Sequence, residues 1–286
     1  MVLSLLKISC MSLIMKCVIV GLGYFGKIIQ SKLKEFPVDE LVTVDPFNPT
    51  SEFKNISDVE NVDGYWFVTT PASTHHSVLL ELFKKGVKNI WVEKPICNTL
   101  DDTLDIFSKK PDDVFLYCDF TWLQHEAIKR LGSVSDIKHI EMKWMNDGSM
   151  IPKDVNIVTD LAVHPISILT FLLIKSKDIL EKIHVTYAND MSVLINGFSK
   201  NGLTFNIEVS NSSSIKTRNI SVYCADDVYR WFSEDPEHIE NLGRIESKDA
   251  IVSNIELFLS KNSLGYPLDI ARTLETVNEL FTNFDK

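Results

Sequence analysis

Apolar and polar positions follow two rhythms along this chain. Over the first 120 residues, short β-branched runs alternate with helical stretches. Residues 16–20 (KCVIV), 41–45, 64–69 (GYWFVT), 87–92 and 114–118 (VFLYC) read as buried strands. Residues 27–33, 77–85 and 101–109 read as helices. The second of these carries Val78, Leu79, Leu82 and Phe83 on one face. Strands alternating with helices predict a parallel sheet covered on both faces, and right-handed crossovers make it doubly wound.

Beyond residue 120 the rhythm changes. Residues 123–131 read as a helix that Gly132 ends, and 137–145 (IKHIEMKWM) alternates as a half-buried strand does. Residues 158–174 form a long apolar helix. Residues 184–187, 191–199, 203–210 and 218–225 are strand-like, with Lys200, Asn201 and Gly202 as a hairpin connection. Residues 251–259 and 269–284 close the chain as helices, with Pro267 as a start signal. Strands bunched without intervening helices predict an antiparallel sheet. The expected fold class is therefore α/β: an N-terminal Rossmann domain over 15–119, then a C-terminal α+β domain over 120–286. The second domain is expected to hold an open, mainly antiparallel sheet, and its C-terminal helix is a candidate to pack back on the first.

Composition narrows the classes. The 286 residues carry a net charge of −10, which argues against a broad nucleic-acid surface and against binding to an anionic membrane. The five cysteines, at 10, 17, 97, 118 and 224, are odd in number and contain no CxxC, so neither a disulfide framework nor a zinc site is expected. A reducing, cytoplasmic setting is the simplest reading. Residues 1–14 (MVLSLLKISCMSLI) lack a clear cleavage site and read as an extension, with Met11 or Met15 as alternative starts. No run of 18 apolar residues is present, so no membrane span is expected.

Candidate chemistry begins at residues 21–26, GLGYFG, between the first strand and the first helix. That is the setting of a dinucleotide fingerprint. Gly21 allows a tight turn, Gly23 a close approach to a pyrophosphate, and Gly26 close helix–strand packing. The amides of Tyr24 and Phe25 open the helix toward the phosphates. Asp45 ends the second strand 19 residues after Gly26 and is placed to accept from an adenosine ribose. It is followed by Pro46, Phe47 and Asn48, with no arginine to meet a 2′-phosphate, so NAD is expected over NADP. The same glycines would also suit a plain strand–turn–helix corner.

Two further motifs, TTPASTH (69–75) and EKP (93–95), follow the third and fourth strands. Both lie at carboxyl ends of strands, where open parallel sheets bind ligands. Thr70, Pro71, Glu93 and Lys94 are the candidates there. The Lys94 ammonium suits a substrate oxygen on which charge develops, although a lysine at a strand end is also an ordinary surface residue. In the long apolar helix, Asp160 and His164 are four apart and share a face. Histidine moves protons near neutral pH; a structural Asp–His pair is the alternative. Trp122, Trp144 and Trp231 could stack on a sugar ring, but single tryptophans are more often core or rim residues.

Taken in order, GLGYFG, TTPASTH, WVEKP and DLAVH resemble the glucose–fructose oxidoreductase and inositol dehydrogenase family (Gfo/Idh/MocA) from about Lys16 onward. The resemblance implies a Rossmann domain followed by an open-sheet domain. It implies Lys94 as the active-site lysine, Asp160 and His164 as the aspartate and the proton-transferring histidine, and His75 at a position beside the nicotinamide. His76, His125, His139, His184 and His238 read as surface or packing residues. The chain departs from the family at 156–159 (NIVT), where glycines are common, and at Ser167, where an acid is common. The expected activity is NAD(P)-dependent hydride transfer at a hydroxyl or ketone carbon of a sugar, sugar derivative or polyol. No nucleic acid or metal is expected, and a homodimer or tetramer through an uncovered apolar sheet face is. The rival reading is a dinucleotide-binding sensor on the same fold.

Overall fold

The computed structural model describes residues 15–148, 155–246, 248–262 and 266–284. The extension expected over 1–14 lies outside them.

Five short apolar runs become parallel strands: β1 (Lys16–Val20), β2 (Glu40–Val44), β3 (Tyr65–Val68), β4 (Asn89–Glu93) and β5 (Phe115–Asp119). Their order is β2-β1-β3-β4-β5. The order reverses between β1 and β3, so a crevice opens at the carboxyl ends there. Helices α1 (Tyr24–Lys32), α2 (His75–Lys85) and α3 (Leu100–Lys109) follow β1, β3 and β4. The first two start earlier than their apolar spacing suggests, because helix caps are set by backbone geometry at the preceding turn.

The second sheet has eight strands: β6 (Ile137–Met145), β7 (Leu180–Asn189), β8 (Ser192–Ser199), β9 (Thr204–Ser210), β10 (Thr217–Cys224), β11 (Val228–Phe232), β12 (His238–Ile239) and β13 (Gly243–Arg244). Their order is β13-β12-β11-β10-β6-β9-β8-β7, antiparallel except where β6 meets β9. The last three strands are too short or too mixed in polarity to stand out in the sequence. Alternate residues of the long strands, such as Ile140, Met142 and Trp144, point inward to a core shared with three helices. These are α4 (Glu126–Leu131), α5 (Val163–Lys175) and a C-terminal helix, Pro267–Thr282. The stretch read as one helix over 123–131 is a 3₁₀ turn (Thr121–Gln124) and α4, with His125 in extended geometry between them, accepting from the Ala127 amide.

The outward face of this sheet departs from the apolar surface expected of it. Glu141, Lys143, Thr204 and Asn206 stand exposed on it, and large exposed apolar side chains there are Tyr187 and Phe198. The helical run Val158–Lys175 is long and apolar enough by length and composition to cross a membrane, although Asp160, His164 and Lys175 interrupt its apolar residues. It is instead a core helix, 78% buried inside the protein.

The C-terminal part of the chain serves both sheets. Helix α6 (Ala250–Leu259) returns to the first sheet and packs beside α1. Phe258 meets Phe67, Phe115, Tyr65 and Tyr117. Asp249 caps α6 and pairs with Lys32 of α1 at 2.7 Å. The last helix, α7 (Pro267–Thr282), bridges the two halves. Glu275 accepts from the Leu100 amide at the start of α3 at 3.3 Å, and Asn278 accepts from Asn156 at 2.7 Å.

Candidate active site

The glycine loop is shaped by its backbone. Gly21 follows β1 with φ +97, and a Cβ on it would stand 2.7 Å from the Thr70 amide nitrogen. A Cβ on Gly26 would stand 2.0 Å from the Gly21 carbonyl oxygen, so α1 packs against the turn only with glycine there. On Gly23 a Cβ would meet nothing within 4 Å. Gly23 therefore faces open space, the side from which a pyrophosphate approaches. No side chain caps α1, so its first amides retain their capacity for an anion. Tyr24 is exposed, while Phe25 stacks on Trp91 at 6.0 Å and belongs to the packed side of α1.

Asp45 is fixed at the end of β2. Its Oδ2 accepts from the Leu22 amide at 2.7 Å, and its Oδ1 from the Phe47 and Asn48 amides at 2.8 and 2.9 Å. Burial alone would raise its pKa. The three amides, helped by the Lys54 charge, hold the carboxyl below its ordinary range. Asp45 thus ties the glycine loop to β2 and presents a permanent negative charge. This cradle, with open space over Gly23, fits a dinucleotide.

The loop after β3 is held from behind. Thr69 Oγ1 donates to the Gly21 carbonyl at 2.6 Å, and Thr74 Oγ1 donates to Thr70 Oγ1 at 2.8 Å. Pro71 is exposed. His75 is fully buried, and its ring nitrogens lie 2.9 Å from the carbonyl oxygens of Thr70 and Pro95. It clips the TTPASTH and EKP loops together from within, so its bearing on the crevice is through the loops it joins.

Lys94 leaves the end of β4 and reaches the second domain. Its ammonium donates to the Asp160 carbonyl oxygen at 2.8 Å and lies 3.4 Å from Asp160 Oδ1 and 3.9 Å from Glu93. The helix it meets is irregular. Residues Val158–Ala162 form a π turn ahead of α5. Pro165 has no N–H, so this turn is one donor short, and the ammonium of Lys94 serves one of its carbonyls. Asn156 accepts from the Val158 and Thr159 amides at 3.0 and 3.1 Å and so caps the turn. Ser167 donates back to the His164 carbonyl within the helix.

His164 sits beside this contact, its ring 6.1 Å from that of Trp144. Burial, then the charges of Lys94 and Arg218, push its pKa well below 6.5, so the imidazole is neutral at pH 7. Lys94, Asp160 and His164, which lie on two domains, are brought together. Trp144 and Trp231 are core residues, and Trp122 packs edge-on against Trp144 at 4.9 Å.

Two groups at the site escaped the sequence reading. Asp119 ends β5 in register with Glu93, fully buried, with Oδ1 unpartnered and Oδ2 accepting from Thr121 at 2.8 Å. Burial pushes Glu93 up to about 7 and Asp119 up to about 8. Arg218, on β10 opposite Trp144, is 7% exposed with its guanidinium over the Trp144 ring at 5.2 Å. Its signal was present: Arg218, Ile220 and Val222 alternate along one strand, which puts an arginine in an inward row.

Residues 15–110 match the model of the GFO_IDH_MocA family, an oxidoreductase family with an NAD-binding Rossmann fold. No curated protein matches the chain in sequence. The structure is similar to UDP-N-acetylglucosamine 3-dehydrogenase GnnA from Acidithiobacillus ferrooxidans, at 16% identity and TM-score 0.80, over 94% of this chain and 98% of that one. It is similar to myo-inositol dehydrogenase from Lactobacillus casei, solved with NAD(H) and myo-inositol, at 15% identity and TM-score 0.77, over 94% and 95%. GenD2 from gentamicin A biosynthesis, solved with NAD, gives 13% identity and TM-score 0.78 over 94% and 95%. At these identities the likeness is one of fold.

Proposed function

From the place of residues 15–110 in that NAD-binding oxidoreductase family, we propose that the chain is a dehydrogenase acting on a hydroxyl or ketone carbon of a sugar, sugar derivative or polyol. One observation carries the reading: the ammonium of Lys94, at the crevice edge of the first sheet, meets the helix that presents a neutral His164. The names of the similar structures, a nucleotide-sugar dehydrogenase and an inositol dehydrogenase, support the substrate class.

Bound NAD supplies the hydride acceptor, held by the glycine loop and Asp45. In the oxidative direction, His164 takes the proton of the substrate hydroxyl. Lys94 donates a hydrogen bond to the same oxygen as negative charge grows on it. Asp160 holds Lys94 and so sets the ammonium's position relative to His164. In reduction the same groups act in reverse.

The test is NADH absorbance over a panel of sugars and polyols. His164→Asn should lower kcat by about 10²–10⁴ and Lys94→Met by a comparable amount, with NADH binding kept in both. Turnover unchanged in either variant refutes its role. The depressed pKa of His164 gives the pH dependence a sign. Protonation abolishes the acceptor only well below 6.5, so the oxidative kcat/KM should have no acid limb near 6.5. A limb at 6.5 that His164→Asn removes would contradict the buried, neutral imidazole.

A further inference from the structure

Arg218 is the one guanidinium facing the second domain's core beside His164 among the described residues, and it has no carboxylate. Its donors go to neutral acceptors: the carbonyl oxygens of Met145 and Thr217, the latter at 2.8 Å, and Asn146 Oδ1 at 2.6 Å. No ion pair involving Arg218 occurs among the described residues. Burying a cation this deeply is costly unless it is paired, and burial alone pulls its pKa down to about 10. Across the strand pair, Trp144 is fully buried with its indole N–H lacking an acceptor. The sheet floor next to His164 thus holds a positive charge and an unused donor, with no ion pair to Arg218 among the described residues.

We propose that the substrate carries an anionic group, a carboxylate or a phosphate, and that Arg218 holds it beside His164. A planar guanidinium matches either anion through paired hydrogen bonds. The fork is already oriented by the Met145 and Asn146 contacts, so little freedom is lost on binding. Arg218 is thereby a substrate-orienting residue. The inference rests on the dehydrogenase reading for the word substrate, whereas the anion itself can be measured without turnover.

The experiment has a binding arm and a turnover arm. Malonate and inorganic phosphate are titrated separately by calorimetry into the NADH complex of the whole chain. One of them should bind with a stoichiometry of one, which also tells a carboxylate site from a phosphate site. Arg218→Gln keeps a donor for the Met145 carbonyl and removes the charge. It should weaken that anion roughly 10- to 100-fold, with NADH affinity unchanged. Arg218→Lys keeps the charge without the fork, and decides the matter should Arg218→Gln not fold: it should weaken the anion about tenfold. Absence of binding by both anions, or affinity unchanged in the soluble variant, overturns the proposal.

In the turnover arm, glucuronate and glucose 6-phosphate are compared with glucose as reductants of NAD⁺. An anionic member should be preferred, and Arg218→Gln should raise its KM roughly 10- to 100-fold with a smaller change in kcat. Glucose turned over as well as both anionic sugars overturns the anion site and leaves the dehydrogenase standing. Anion binding at Arg218 without turnover of any sugar or polyol has the opposite meaning: the site stands and the dehydrogenase reading fails.

Discussion

The two walls of the crevice are built from different material. On the wall made by the first sheet, the important groups are backbone: the Gly21 turn, the open space over Gly23, the first amides of α1. Its polar side chains, Asp45, Thr69 and His75, are engaged with backbone amides and carbonyls. On the facing wall, His164 and Arg218 are side chains on rigid elements, and behind them the indole N–H of buried Trp144 has no acceptor. A cofactor common to many enzymes is met by main chain, whose shape a few glycines dictate. A substrate particular to one enzyme is met by side chains, which vary without disturbing the fold.

That contrast can be broken by substitution. The largest effect is expected at Gly26→Ala, whose Cβ would collide with the Gly21 carbonyl at 2.0 Å. Neither backbone can yield easily, so urea unfolding should show a loss of about 3 kcal/mol or more, with loss of NADH binding. Near-native stability would mean that α1 is not pinned to the turn. Asp45→Ala should come next. It leaves three backbone amides without their acceptor and should cost about 1–3 kcal/mol. It should also narrow a preference for NADH over NADPH, read by fluorescence titration of both; a preference left intact would assign discrimination elsewhere.

The two acids at the ends of β4 and β5 give a smaller, pH-linked effect. Glu93 and Asp119 have pKa values raised by burial, so the folded chain holds protons that the unfolded chain releases above the ordinary carboxylate range. Their contribution to stability is full below that range and is lost as pH rises through about 7 and 8. Tm should therefore fall between pH 5.5 and pH 8.5, and Asp119→Asn should flatten the fall. A Tm that rises over this window contradicts the assignment. The smallest effect on folding belongs to Gly23→Ala, whose Cβ meets nothing. Stability should change by less than about 1 kcal/mol, while NADH affinity drops because the new methyl occupies the pyrophosphate's approach. If stability and affinity fall together, Gly23 is a packing residue after all.

What could be read in the sequence follows the same division. Strands β1 to β5 and the glycine loop are local patterns, and local patterns survive folding almost unchanged. Lys94, Asp160 and His164 were legible only as ambiguous single residues until their order suggested a family. Arg218 and Asp119 were passed over, because their environment is made by strands and helices far away in the chain. Arg218 needs β6 and α5 beside it, and Asp119 needs Glu93 on the adjacent strand. The π turn was hidden too, since an apolar helix containing Asp160 and His164 reads the same in either register. Pro165 was its only local mark. The polar outer face of the second sheet was in fact printed in the alternation of 137–145; the error lay in expecting its open side to be apolar.

Helix α6 also bears on how the protein comes into being. One face of the first sheet, with Phe67, Trp91 and Tyr117, is closed in part by Ile255 and Phe258, residues that a ribosome adds more than a hundred positions after β5. During synthesis that face waits, apolar and incomplete, while the whole second domain is made. The nascent chain is thus most vulnerable to sticking in the interval between β5 and α6. A fragment ending after β5 would lack Ile255 and Phe258 and leave that face incomplete, so the two halves of this chain depend on one another.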